Sequence, residues 1–470
     1  VADTLTCDVA VIGAGTAGLA AERAARHNGA STLLIDPTFN GTTCANVGCM
    51  PSKLLIAAAT EAHRIAGADL FGIRVGAVTI DGPAVMGRLR SERDRFAAGT
   101  RHAIDRLDPA TTLRATARFI GPDRLQLDDG RIVQARTIVI ATGSSPLVPP
   151  PFAALGDRLL TSDTVWDLPD LPRRLAVVGS GSIGIELAQA FARLGVEVSL
   201  FDRGHSLIKL RCKKVHAALQ AIIERDLTVH QGVAILPDRT AEGVRIRWNG
   251  DSSGEAGFDM VLAALGRPPN LDRLDLDKAG LELDEDGVPC HDRSTMRCGD
   301  SAIFLAGDVA ADLPLLHEAS HDGAIAGRNA AAFPAPIRTP RHVPFSLTFT
   351  DPPVATIGDP EAEGAVTGTA DYGDQGRARV EGRNEGLLTL YAAAPDGRLI
   401  GADLVAPGGE HLAHMLAWAI ERRLTGSEML ELPFYHPTLE EGLKQALRTI
   451  CAATPIELPV DQDSGTPSGA

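Results

Sequence analysis

A chain of 470 residues, 44% of them hydrophobic, can bury several cores, and its length alone argues for two to four domains. A formal net charge of −15 gives a field that attracts neither nucleic acid nor an anionic membrane surface, so small molecules or other proteins are the expected partners. Seven cysteines in so long a chain do not make a disulfide framework and fit a cytoplasmic setting. The apolar residues 9–12 follow Asp8, have no basic segment before them and are broken by Gly13 and Gly15, so they are not read as a signal peptide. No run of about 18 apolar residues reads as a transmembrane helix.

In chain order, residues 7–12 read as a buried strand, followed by Gly13-Ala14-Gly15-Thr16-Ala17-Gly18 and a helical stretch. A second strand over residues 31–35 ends in Asp36. This is a dinucleotide fingerprint in context. The glycines permit a tight turn and close approach to a pyrophosphate, the helix N-terminus receives the phosphate charge, and the acid accepts from a ribose hydroxyl.

Residues 41–53 follow as a glycine-bounded loop holding Cys44 and Cys49. Pro51 suits the first position of a helix, which places Cys49 at a helix N-terminus, where partial positive charge favours a thiolate. Cys44 is near enough along the loop to close a small disulfide ring with it. Two plain buried cysteines, or half of a metal site, are the alternatives; a metal site needs a second pair that the chain does not offer. A polar amphipathic stretch, residues 83–107, reads as a solvated helix face.

The strand-turn-helix unit then recurs. Residues 175–178 lead into Gly179-Ser180-Gly181-Ser182-Ile183-Gly184, a helix carrying Glu186, and a strand ending in Asp202. One offset of 166 positions lays Gly13, Gly15, Gly18, Gly29 and Asp36 on Gly179, Gly181, Gly184, Gly195 and Asp202. Two dinucleotide sites beside a dithiol suggest a relay from nicotinamide through flavin to disulfide. Because the cysteines directly follow the first unit, that unit is expected to hold FAD and the second NAD.

Residues 138–143 and 260–270 are strands ending in turns at Gly143 and Gly266, suited to crossings between the two units, and both glycines are counted as cofactor-contacting. Residues 303–308 form another buried strand ending in Gly307 and Asp308, at the edge where such sheets bind ligands. From about residue 340 the texture becomes β-rich, with a helix through residues 411–418, and contains Phe434-Tyr435-His436-Pro437-Thr438-Leu439-Glu440-Glu441. The expected fold is α/β, with two Rossmann-like domains and a C-terminal α+β dimerisation domain. Its boundaries are expected at 1–145 and 270–338 for the FAD domain, 146–269 for the NAD domain and 339–458 for the interface domain. Residues 459–470 read as a disordered tail.

On these motifs, above all residues 44–53 and His436-Pro437-Thr438, the chain resembles the class I pyridine nucleotide-disulfide oxidoreductases over residues 8–448, and most closely their dihydrolipoamide dehydrogenase branch. The resemblance implies that Cys49 lies against the flavin and Cys44 exchanges with substrate. It also implies that Lys53 pairs with Glu186 near the flavin ring, that Asp308 holds the ribityl chain, and that His436, oriented by Glu441, is a base supplied by the partner of a homodimer. Thr42 and Ala45 depart from the family pattern of a second glycine and a larger apolar residue.

The expected activity is dihydrolipoyl dehydrogenase, passing electrons from a small-molecule dithiol or a lipoyl-bearing carrier protein to NAD⁺. Alternatives are a mercuric or other disulfide reductase using NAD(P)H, although the familiar mercuric enzymes carry an extra vicinal cysteine pair near the C-terminus, and a regulatory flavoprotein that binds nucleotides without turnover. Cys7, Cys212, Cys290, Cys298 and Cys451 are read as packing or surface thiols. His317 with His321, and His411 with His414, have helical spacing but no third ligand, so no metal is expected.

Overall fold

A computed structural model describes residues 3–360 and 365–455; the expected tail, with the last residues of the expected interface domain, lies outside the described residues. The apolar strand Thr4–Ile12 forms the centre of the first sheet, in parallel with Thr32–Ile35 on one side and Ile132–Ile140 on the other. Ile303–Leu305 continues it beyond Ile132–Ile140. Segments from both sides of the second unit therefore share one sheet.

The second unit builds its own parallel sheet, in the order Thr228–His230, Glu197–Phe201, Arg174–Val178, Met260–Ala263, Leu159–Thr161. Val9 and Val11 on the first sheet, and Ala176 and Val177 on the second, have no exposed surface, as strands covered on both faces require. A three-stranded antiparallel sheet, Val233–Arg239, Val244–Gly250 and Gly254–Phe258, extends the second unit and is absent from the sequence reading. Its signal was the alternation Val244-Arg245-Ile246-Arg247, which buries the first and third side chains.

The C-terminal part is a five-stranded antiparallel sheet in the order Phe345–Thr348, Val354–Gly358, Leu399–Val405, Leu387–Ala392, Val366–Asp371. The helices Gly409–Glu421 and Leu443–Ala453 close a core around Leu390, Leu404, Leu416 and Leu447. The helix read at residues 83–107 runs Gly82–Asp105, and Asp81 caps it by accepting from the Ala84 N–H at 2.9 Å. Its face is not wholly solvated: Arg93 pairs with Asp167 at 2.8 Å. No helix among the described residues is long and apolar enough to cross a membrane.

The repeated turns agree down to individual hydrogen bonds. Gly13 and Gly179 both have φ +104°, open only to glycine without strain, and a Cβ on either would stand 2.4 or 2.3 Å from the carbonyl oxygen of Ala141 or Ala264. A Cβ on Gly18 or Gly184 would stand 1.8 or 1.9 Å from the carbonyl oxygen of Gly13 or Gly179. Each turn is thus locked to its helix by backbone contact with no room for a methyl group. Gly18→Ala and Gly184→Ala should each destabilise the fold by about 1–3 kcal/mol, the usual range for overpacking. Thermal unfolding is the measurement, and an unchanged midpoint would contradict the contact.

Candidate active site

The cysteine loop is more ordered than its glycines suggest. Residues Thr43–Asn46 make one helical turn, capped by the Thr42 hydroxyl accepting from the Ala45 N–H at 3.4 Å, so the threonine that departs from the family pattern has a local role. Gly48 then caps the helix Cys49–Ala66. Cys49 is its first residue, as expected, while Pro51 falls third instead of first. The buried Trp166 pins the loop, its indole Nε1–H donating to Val47 O at 2.9 Å.

Both cysteines carry free thiols. A hydrogen bond from Cys44, together with the nearby Lys53 ammonium, holds the Cys49 thiol down to about 7 against the opposing effect of burial. The same bond and burial push Cys44 strongly upward. Of the two, Cys49 is the thiol that loses its proton first and Cys44 the one that keeps its own.

Lys53 lies one turn along this helix, and its Nζ is 2.9 Å from Glu186 Oε2. The other carboxylate oxygen accepts from the Phe349 N–H at 2.7 Å, and the ammonium stands 4.1 Å from the centre of the Phe349 ring. Phe349, unforeseen from sequence, brings the C-terminal part into the site.

One cavity of about 570 Å³ joins these groups: Gly15, Cys44, Cys49 and Lys53 line it together with Glu186 and Asp308. Gly143 also lines it. Asp308 Oδ2 accepts from Ser144 Oγ at 2.9 Å, and Arg267 links Ser144 Oγ, at 3.2 Å, to Asp163, at 2.7 Å. The turns at Gly143 and Gly266 are tied directly, Asn270 N donating to Gly143 O and Leu147 N to Gly266 O, both at 2.9 Å. Gly307, with φ +81°, donates its N–H to the buried Asp322 at 3.3 Å.

The remaining fingerprint residues suit dinucleotides. A Cβ at Gly15 or Gly181 would meet no atom within 4 Å, and both have extended φ, so neither packing nor backbone demands glycine there. Glycine at these two places leaves open space in front of helix starts, Thr16–His27 and Ser182–Arg193, that no side chain caps. Asp36 accepts from the Ala14 N–H at 3.0 Å and Asp202 from the Ser180 N–H at 2.6 Å, the same bond in both units. Both acids are therefore held at the ends of their strands, with lone pairs to spare for a ribose. The residues present fit FAD and a pyridine nucleotide.

His436 and Glu441 do not line the cavity. His436 is exposed over 58% of its side chain, and its Nδ1 lies 3.1 Å from Glu441 Oε1, so the carboxylate engages one ring nitrogen and not Nε2. Other histidines pack against rings from distant segments. His317 and His414 flank Phe345, with centroids 6.3 and 5.0 Å from its ring, while His321 stacks 4.7 Å from His342. Among the described residues no cluster of three or more metal-ligating side chains forms.

Two outcomes are expected. Gly15→Ala and Gly181→Ala should keep wild-type thermal stability of the ligand-free protein yet each weaken dinucleotide binding, unlike alanine at Gly18 or Gly184. In the reduced protein, alkylation of Cys49 by iodoacetamide should rise through a midpoint near pH 7, and Lys53→Met should move that midpoint upward.

Comparison with known proteins agrees with this architecture. Residues 7–323 match the pyridine nucleotide-disulphide oxidoreductase family, and residues 344–447 match the dimerisation domain of the same family. A dihydrolipoyl dehydrogenase from Bacillus subtilis is 31% identical over 453 residues, covering 93% of this chain and 97% of that protein. A mercuric reductase from Acidithiobacillus ferrooxidans is 34% identical over 453 residues, covering 94% of this chain and 82% of that protein. LpdA from Mycobacterium tuberculosis superposes with a TM-score of 0.80 at 25% identity, over 94% of this chain and 99% of that one. The flavoprotein disulfide reductase RclA from Escherichia coli shares the fold, with a TM-score of 0.81 at 21% identity over 94% of this chain and 99% of that one. The chain belongs to the pyridine nucleotide-disulphide oxidoreductase family, whose enzymes are FAD-dependent and take a pyridine nucleotide as their usual substrate.

Proposed function

We propose that the chain is a dihydrolipoyl dehydrogenase, oxidising a dihydrolipoyl dithiol, free or on a carrier protein, and delivering the electrons to NAD⁺. The observation that carries this reading is the polarised thiol pair, with charge on Cys49 and proton on Cys44, in the cavity that both dinucleotide units line. On this reading residues 1–145 and 270–338 bind FAD, 146–269 bind NAD and 339–458 form the dimer interface.

In the oxidised pair, a substrate thiolate attacks the Cys44 sulfur, the Cys44–Cys49 bond breaks, and Cys49 leaves as a thiolate stabilised by Lys53 and its helix start. The second substrate sulfur attacks the first, closing the substrate disulfide and releasing Cys44. Of the two substrate protons, one ends on Cys44 and the other on His436 of the partner subunit, whose ring Glu441 orients through Nδ1. FAD, held by the first unit, would supply the two-electron transfer from the Cys44–Cys49 pair to the nicotinamide, which re-forms the disulfide and releases the Cys44 proton. Asp202 favours NAD⁺, because its carboxylate accepts from a ribose 2′-hydroxyl and repels a 2′-phosphate, with Arg203 moderating the preference.

A homodimer is supported by the matched dimerisation domain and by the exposed His436, which its own cavity does not use. The mercuric reductase relatives favour a second reading, a metal-ion or disulfide reductase using NAD(P)H. Against it, Cys451 is 2% exposed and has no adjacent cysteine. A regulatory flavoprotein without turnover would need no polarised thiol pair.

Purified protein should reduce NAD⁺ with dihydrolipoamide faster than it consumes NADPH with Hg²⁺ or glutathione disulfide; the reverse order would favour the second reading. The shared site has its own test. Cys44→Ser and His436→Ala chains, each nearly inactive alone, should recover about a quarter of wild-type activity when randomly mixed, since half of the dimers carry one intact site. No recovery would place both groups in one chain.

A further inference from the structure

The helix Ser182–Arg193 carries Ser182, Glu186, Gln189 and Arg193 on one stripe, at successive steps of four, three and four residues. Each of these side chains bonds to the short segment 348–351, which enters from the C-terminal sheet. The Thr348 hydroxyl donates to Ser182 Oγ at 2.8 Å, and the Phe349 N–H to Glu186 Oε1 at 2.7 Å. Gln189 grips the main chain of Asp351 on both sides, accepting from its N–H at 2.8 Å and donating to its carbonyl at 3.1 Å. Arg193 donates to the Asp351 carboxylate at 2.6 Å and to its carbonyl at 3.0 Å.

This seam has one register. Gln189 lies one turn after Glu186 and Asp351 two residues after Phe349, so the Gln189 clasp sets where the Phe349 N–H and ring stand. Those two groups hold Glu186 and the Lys53 ammonium in turn. Gln189 is only 3% exposed, and its Nε2 also donates to Asp226 at 2.9 Å, so its orientation is fixed from a third side. A buried amide with every polar atom engaged is rigid, and removing it leaves the Asp351 N–H without its acceptor.

We propose that Gln189 is a positioning residue for the redox thiols: by clasping Asp351 it fixes Phe349 and Glu186, and through them holds the Lys53 charge against Cys49. The groups that face Cys49 are Cys44, Lys53 and Glu186, and of these only the Lys53–Glu186 pair reaches the seam. The role does not depend on which disulfide is the substrate, so it stands or falls separately from the dihydrolipoyl reading.

The test is the pH profile of Cys49 alkylation by iodoacetamide in reduced, FAD-loaded protein. Gln189→Met keeps the volume and removes the clasp. It should move the midpoint upward by about one pH unit, cutting the rate at pH 7 about fivefold, with FAD content unchanged. In a Lys53→Met background, Gln189→Met should add no further shift, since the charge it positions is gone. Should Gln189→Met fail to fold, Gln189→Ala removes the same bonds with no bulk to misplace and carries the test. A profile that stays at the wild-type midpoint in either folded variant, with only thermal stability reduced, overturns the proposal.

Discussion

The ion pair of Lys53 and Glu186 is the contact on which the site depends, because each partner belongs to a different dinucleotide unit and a third part of the chain closes around both. Lys53 is a third exposed and Glu186 almost buried, so leaving either alone would strand a charge in a poorly solvated place. The pair therefore ties the cysteine helix, the helix of the second unit and the segment 348–351 into one rigid group. Its placement also decides the chemistry, since the ammonium is one of the groups that hold Cys49 as a thiolate.

What the sequence disclosed followed from backbone necessity. A turn that runs into a helix against a neighbouring carbonyl admits only glycine at fixed positions, and the same necessity acting twice left Gly13, Gly18, Gly179 and Gly184 at one offset. The acids Asp36 and Asp202 were visible because a strand end has one place for such a side chain, and the bonds to Ala14 and Ser180 repeat the offset. The cysteine pair was legible because its two members and its helix lie within one short stretch.

What escaped was contact between residues far apart in sequence. Trp166 meets Val47 across 119 positions and Phe349 meets Glu186 across 163, and neither contact leaves a local pattern. Histidine contacts were hidden for the same reason: His317 and His414 both flank Phe345, which comes from a third segment. The Gln189 clasp was hidden further, since half of it is main chain, and a backbone N–H is present at almost every residue whatever its side chain.

The polarity of the thiol pair follows from the Cys44–Cys49 hydrogen bond and the nearby Lys53 charge and, on the proposed reading, fixes the direction of exchange. A disulfide is attacked most readily at the sulfur whose partner leaves as the more stable thiolate. Cys49, at a helix start and beside Lys53, is that partner, while Cys44 keeps the proton in the reduced pair. On the proposed reading an incoming thiolate is therefore directed to Cys44, and the displaced charge appears on Cys49, in the cavity wall that also holds Glu186 and Asp308. On the same reading, the Lys53 ammonium, one turn along the Cys49 helix, thus separates the sulfur that meets substrate from the sulfur that passes electrons inward.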